Sequence, residues 1–349
     1  MPGVLLRPAA AAARQCGKLG NGLSGQRSGT FTARFARWVS IRTVNESICE
    51  YACHEAAVRR SSRATHRLRA AALTLLALLL ATPTFASVIA TREFKSAALK
   101  REWSYAVYLP TGYETSGLRY PVLYLLHGAG GNLNNWATLG GIQATADALM
   151  ASGAIPPAII VMPDAAESWY VDGAEKMETA VLKDLIPDVQ RQFRAQVKRE
   201  GRLIGGLSMG GYGALRFVLK YPEMFVAAAL LSPAIYDPEP PPHSGARRAA
   251  VFGGQTFDAA LWRSLNYPML WDAYLQKKTP VPMYINSGDD DHLLIEQEAA
   301  KLYALLRKNQ QPAELRIVDG GHVWPVWEST IGDALRYIFR FAARPVLVE

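Results

Sequence analysis

The 349-residue chain holds only three cysteines, Cys16, Cys49 and Cys53, all near its beginning. From residue 54 onward neither a disulfide framework nor thiol chemistry is available. "CEYACHE" sets two of the thiols beside His54, but two Cys and one His without further ligands do not complete a zinc site. Positive charge is also scarce where it would count. The formal net charge is +8, yet residues 1–86 alone carry 12 Arg/Lys against 3 Glu, which more than accounts for it. The remainder is close to neutral and offers no electrostatic footprint for nucleic acid. Histidine is sparse, six in all, so candidate general bases can be taken one by one. No internal repeat is visible.

What is present begins with a leader. "RRSSRATHRLR" (59–69) is basic, "AAALTLLALLLA" (70–81) is apolar, and "TPTFASVIA" ends in small residues. This is the order of a secretory signal peptide, with cleavage expected after Ala86 or Ala90 and a periplasmic or secreted product. The rival is an uncleaved anchor, since 70–90 contains no charge and is long enough to span a bilayer. It would be the only membrane contact. No Cys follows the apolar run, which argues against a lipid anchor. Residues 1–57 are Arg-, Ala-, Gly- and Ser-rich without sustained periodicity. They read as an unstructured leader, with translation expected to start near Val58; a transit peptide is the lesser alternative.

Residues 87–349 alternate strand-like and helix-like segments, which predicts an α/β domain. "YPVLYLLHG" (120–128), "PAIIVMPD" (157–164) and "FVAAALLSPAI" (225–235) are continuous apolar runs, as buried parallel strands require. "WSYAVYLP" (103–110) alternates and ends at proline. "ETAVLKDLIPDVQRQF" (178–193) has helical spacing, with Pro187 expected to bend it. Residues 236–280 break the rhythm with a Pro/Gly-rich stretch and short helical patterns. An excursion of that length suggests a lid or active-site rim.

The chemistry gathers at "GGLSMGGYGALRF" (205–217). Gly-x-Ser-x-Gly between a strand and a helix lets the chain turn sharply and lifts Ser208 above the sheet, with a helix N-terminus behind it. A serine hydroxyl needs a general base. His54 and His66 lie in the leader and His243 in the excursion; the order Ser–acid–His removes His127. His292 directly follows three aspartates and would share their loop, which leaves His322 in "VDGGHVWPVW". The acid is expected at the preceding strand end, where "GDDD" offers Asp289, Asp290 and Asp291, and the residues alone do not choose among them. A calcium reading of "DDD" lacks the flanking oxygen ligands that complete a loop. An oxyanion hole needs two backbone donors: the N–H of Met209 is one, and the Gly-rich "HGAGG" (127–131) is the expected source of the other.

Together "YPVLYLLHGAGGNLNNW", "VMPDAAESWYVDG", "GGLSMGGYGA", "SGDDDHLL" and "GGHVWPVW" resemble the esterase D/feruloyl esterase/antigen 85-type branch of the α/β-hydrolases. The resemblance covers roughly residues 90–343. It implies a mostly parallel sheet flanked by helices, a serine esterase acting through an acyl-enzyme, and no metal or organic cofactor. It selects Asp291 as the acid and Ala129 as the partner of Met209 in the oxyanion hole. It also brings Trp169 and Tyr170 near the substrate cleft; core packing is the alternative for these, as for Trp136, Trp324 and Trp327.

The expected substrate is a small-molecule or carbohydrate-linked ester of feruloyl, acetyl or short-chain type. An antigen 85-like acyltransferase would use the same residues, and a cell-surface binding protein on this scaffold would be expected to lack one of them. The export signal argues against the cytosolic S-formylglutathione hydrolase role.

Overall fold

The computed structural model describes residues 86–347. The expected start near Val58 and the signal-like run up to residue 85 lie outside the described residues. Ten strands are present: β1 (Val88–Ser96), β2 (Arg101–Leu109), β3 (Leu118–Arg119), β4 (Val122–Leu126), β5 (Ile159–Pro163), β6 (Arg202–Leu207), β7 (Ala227–Leu231), β8 (Met283–Gly288), β9 (Ala313–Val318) and β10 (Val346–Leu347). Eight of them form one sheet in the order β1-β2-β5-β4-β6-β7-β8-β9. β2 is antiparallel to both β1 and β5, and every other pairing in that sheet is parallel.

The apolar runs explain the centre of the sheet. Every residue of β4, β5, β6 and β7 is buried, as expected where helices cover both faces. Alternate β4 side chains feed two cores. Val122, Tyr124 and Leu126 join Tyr212, Leu215 and Leu302 on one face. Leu123 and Leu125 join Ile142, Leu149, Ile331 and Leu335 on the other. β1 is different: "VIATREFKS" is a largely exposed outer strand held by a nine-residue register with β2.

Pro187 sits at the start of the α-helical segment Ile186–Gln192, where its missing N–H costs least. The helical stretch from Met177 to Gln192 passes through a π-helical turn, Val181–Leu185, that ends two residues before Pro187. The wider turn accommodates the ring where a regular α-helix would bring it against a carbonyl.

The 236–280 excursion contains two short helices, Ala259–Leu265 and Pro268–Gln276. Its aromatic residues are sunk in the core: Phe252 and Trp262 are fully buried, and Trp262 stacks on Tyr212 at 5.4 Å. Tyr212 Oη and the Arg216 guanidinium both donate to the Leu265 carbonyl. Arg216 is held in turn by Glu178 at 2.8 Å, a buried carboxylate that also accepts from Lys220 and from Tyr221 Oη. Burial alone would raise the Glu178 pKa. The hydrogen bonds from Lys220 and Tyr221 and the charges of Arg216 and Lys220 outweigh it and leave the group lowered.

Candidate active site

The loops that follow β4, β6, β8 and β9 emerge at the carboxyl ends of neighbouring parallel strands, where open α/β sheets bind ligands. Ser208 stands between β6 and the helix Met209–Lys220, at φ 53° and ψ −115°. Few side-chain-bearing residues adopt that backbone, and the flanking glycines make it possible. A Cβ on Gly206 would lie 2.6 Å from the Gly210 carbonyl carbon, and one on Gly210 would lie 2.5 Å from the Leu126 oxygen. The turn is fixed further by Ser208 N–H donating to Leu231 O at 2.9 Å.

The acid and base arrive from two other loops. Asp291 Oδ2 lies 2.7 Å from His322 Nδ1, and His322 Nε2 lies 2.9 Å from Ser208 Oγ. The two loops are pressed backbone to backbone: a Cβ on Gly288 would fall 1.9 Å from the Gly320 carbonyl oxygen. Of the three aspartates only Asp291 is buried, and its other oxygen accepts from Leu293 N–H. Asp289 and Asp290 are exposed. Asp289 Oδ1 accepts from Gly320 N–H, a turn-forming contact. Their carboxylates cluster with that of Asp319 at the surface. A carboxylate, an imidazole and a hydroxyl linked in this order can orient the ring, withdraw the hydroxyl proton and stabilise the resulting imidazolium.

Beside Ser208 lie the Ala129 and Met209 amides. Among the described residues neither N–H has a hydrogen-bond partner. Ala129 and Ser208 line one cleft of about 580 Å³, together with His322, Asn135, Leu139, Val323, Trp324, Pro325 and Trp327. Two free donors beside a hydroxyl at a helix N-terminus are suited to a developing oxyanion.

The family model for the Esterase family matches residues 96–338. The chain belongs to the Esterase family. This esterase is 30% identical over 227 residues to an acetyl esterase of Caldicellulosiruptor saccharolyticus, covering 62% of this chain and 82% of that protein. It is 38% identical over 143 residues to an endo-1,4-beta-xylanase/feruloyl esterase of Xylanibacter ruminicola, covering 38% of this chain. That match spans only 20% of the longer protein. Among solved structures it is similar to a ferulic acid esterase, with TM-score 0.64 and 28% identity, over 74% of this chain and 100% of the other. The fold is that of the α/β-hydrolases.

Two residues expected along the cleft lie elsewhere. Trp169 and Tyr170 are buried in the core and do not line the cleft. Trp169 packs edge-on against Tyr212, Phe252 and Trp262, each within 6.1 Å. Tyr170 Oη donates to the His127 carbonyl at 3.0 Å. The Ser/Asp/Gly-rich sequence around them gave the loop a surface character, but the size of both rings carries them inward. Trp324 and Trp327 do border the cleft of this esterase. Trp136, Trp324 and Trp327 form a row of edge-on contacts that ends 5.0 Å from the His322 ring. Trp327 Nε1 donates to the buried Ser232 Oγ at 3.0 Å, so a serine with no visible sequence signal braces the wall beside the base. His292, set aside as a base, is exposed and meets the His322 ring edge-on at 6.2 Å. Its ring stacks on His243 at 5.8 Å, and its carbonyl is 3.0 Å from His243 Nε2.

Proposed function

We propose that this protein is an exported serine carboxylic-ester hydrolase that works through an acyl-enzyme. The observation that carries the reading is the continuous contact Asp291–His322–Ser208 beside two unpartnered amides in an open cleft. Ser208 Oγ attacks the ester carbonyl as His322 Nε2 takes its proton. The carbonyl oxygen becomes an oxyanion held by the N–H groups of Ala129 and Met209. As the intermediate collapses, His322 returns the proton to the leaving alcohol. Water then attacks the acyl-enzyme by the same route and releases the acid. Asp291 keeps the imidazole in the tautomer this requires and offsets its transient charge.

The substrate is proposed to be a small-molecule or carbohydrate-linked ester, by analogy with relatives described as acetyl and feruloyl esterases. Leu139, Val323, Trp324 and Pro325 give the cleft an apolar side suited to an acyl or aryl group. The decisive experiment is Ser208→Ala, assayed on acetyl, feruloyl and longer aliphatic esters. It should lower kcat by on the order of 10^4-fold or more with folding intact, because base and oxyanion donors remain but the nucleophile is gone. A folded variant within tenfold of the wild type would sink the mechanism.

A further inference from the structure

In the Gly128–Ala129 peptide, fixing one end of the planar trans unit fixes the other. Its C=O and N–H point in opposite directions, so whatever holds the Gly128 oxygen also aims the Ala129 N–H. Gly128 O lies 2.8 Å from His127 Nδ1 and accepts from Gly131 N–H at 3.1 Å. On the far side of the ring, His127 Nε2 lies 2.9 Å from Ala165 N–H. A backbone N–H can only donate, so Nε2 is an acceptor and the proton of a neutral ring sits on Nδ1. Burial lowers the His127 pKa, in keeping with a neutral ring.

The loop after β5 completes the grip. Tyr170 Oη donates to the His127 carbonyl at 3.0 Å, and the Glu167 carboxylate accepts from Gly130 N–H. The same His127 carbonyl abuts the start of the serine-bearing helix, where a Cβ on Gly210 would lie 2.7 Å from it. The two loops that supply the unpartnered amides are thereby brought into register.

We infer that His127 is a positioning residue: through its Nδ1–H it locks the Gly128–Ala129 peptide with the Ala129 N–H aimed into the cleft, and Tyr170 and Ala165 hold the ring in place. The inference rests on Ala129 acting as an oxyanion donor, as proposed above. A histidine that only filled space would need neither ring nitrogen paired. Here both are paired, one to each loop.

Two amide replacements separate the ring's two ends. The Asn amide reaches about as far as Nδ1, so His127→Asn keeps a donor for Gly128 O. The Gln amide reaches about as far as Nε2, so His127→Gln keeps the Ala165 contact and loses that donor. Removing one oxyanion donor outright costs about 10^2- to 10^3-fold in kcat, and loosening its aim should cost less. His127→Gln is expected to lose roughly 10- to 100-fold in kcat with KM little changed, and to bind a trifluoromethyl ketone more weakly by a similar factor. His127→Asn should stay within about fivefold of the wild type on both measures. Competent sites are counted by fluorophosphonate labelling. Equal losses in the two variants, or a His127→Gln protein with wild-type kcat and ketone affinity, would overturn the inference. If His127→Gln does not fold, Tyr170→Phe takes its place: it should lower kcat several-fold at constant KM, and an unchanged kcat counts against the inference. Failure here leaves the Ser208→Ala result standing, whereas an active Ser208→Ala protein removes the reading on which this one rests.

Discussion

Ser208 occupies a backbone conformation that costs about 1–3 kcal/mol for a residue with a side chain. That strain is concentrated at the atom proposed to react. Its neighbours divide the remaining work by burial. Asp291 is buried against His322, while Asp289 and Asp290 face solvent. Asp291→Asn should therefore keep the turn but favour the wrong imidazole tautomer, lowering kcat by about 10^4-fold. The same change at Asp289 or Asp290 should leave kcat near the wild-type value and alter stability by only about 1 kcal/mol, as for a lost cap or turn contact. Steady-state kinetics on the three variants decide the matter; a damaging Asp289→Asn beside an active Asp291→Asn would reassign the acid. The elbow and the contact between His322 and Ser208 could be anticipated because glycines, strand ends and chain order constrain them tightly. The residues alone did not single out one aspartate, since three adjacent carboxylates differ only in which way the turn faces them; Asp291 came from the family resemblance. The supports formed by His127 and Ser232 were not legible either, their partners lying 38 and 95 residues away.

At the level of elements, continuous apolar runs marked the inner strands, and the edges escaped. Only the first three residues of β1 fall in the signal-like run; the charges that follow, Arg92, Glu93 and Lys95, suit an exposed edge and hide the strand from an apolar-run reading. The structure ties it down all the same. Val88, Ile89 and Ala90 pair with Leu109, Tyr108 and Val107, and Ser87 Oγ donates to Asp147 at 2.7 Å. Cleavage after Ala90 would delete three rungs of that ladder, so under the proposed export, processing is expected after Ala86. Intact-mass measurement of protein from the native host should give an N-terminus at Ser87; one at Thr91 would contradict this. The helix carrying Ser208 has its own dependence, on Glu178. This carboxyl is lowered in the fold from its ordinary 4.5, so its stabilising contribution is complete above that value and is lost as pH falls through the folded pKa. Glu178→Gln would leave Arg216 buried without a counter-charge, which should destabilise the protein at neutral pH by about 3–5 kcal/mol. It should also flatten the acid limb of the stability curve. Urea midpoints between pH 3 and 7 test both effects, and parallel acid limbs for variant and wild type would refute the assignment.

For the molecule as a whole, the near-neutral charge of residues 87–349 gives no field that would steer polyanions to it. The described residues contain no helix long and apolar enough to cross a membrane. The excursion of residues 236–280 bears on how substrates arrive. Its Phe252 and Trp262 are built into the core, its Leu265 carbonyl is held from the serine helix, and none of its residues lines the cleft. A segment anchored in this way cannot swing aside without exposing the aromatic residues on which the helix itself rests. Access to the cleft is therefore expected not to depend on this segment moving. The rate on a soluble ester should show no jump at an oil–water boundary, and such a jump would contradict the anchoring described.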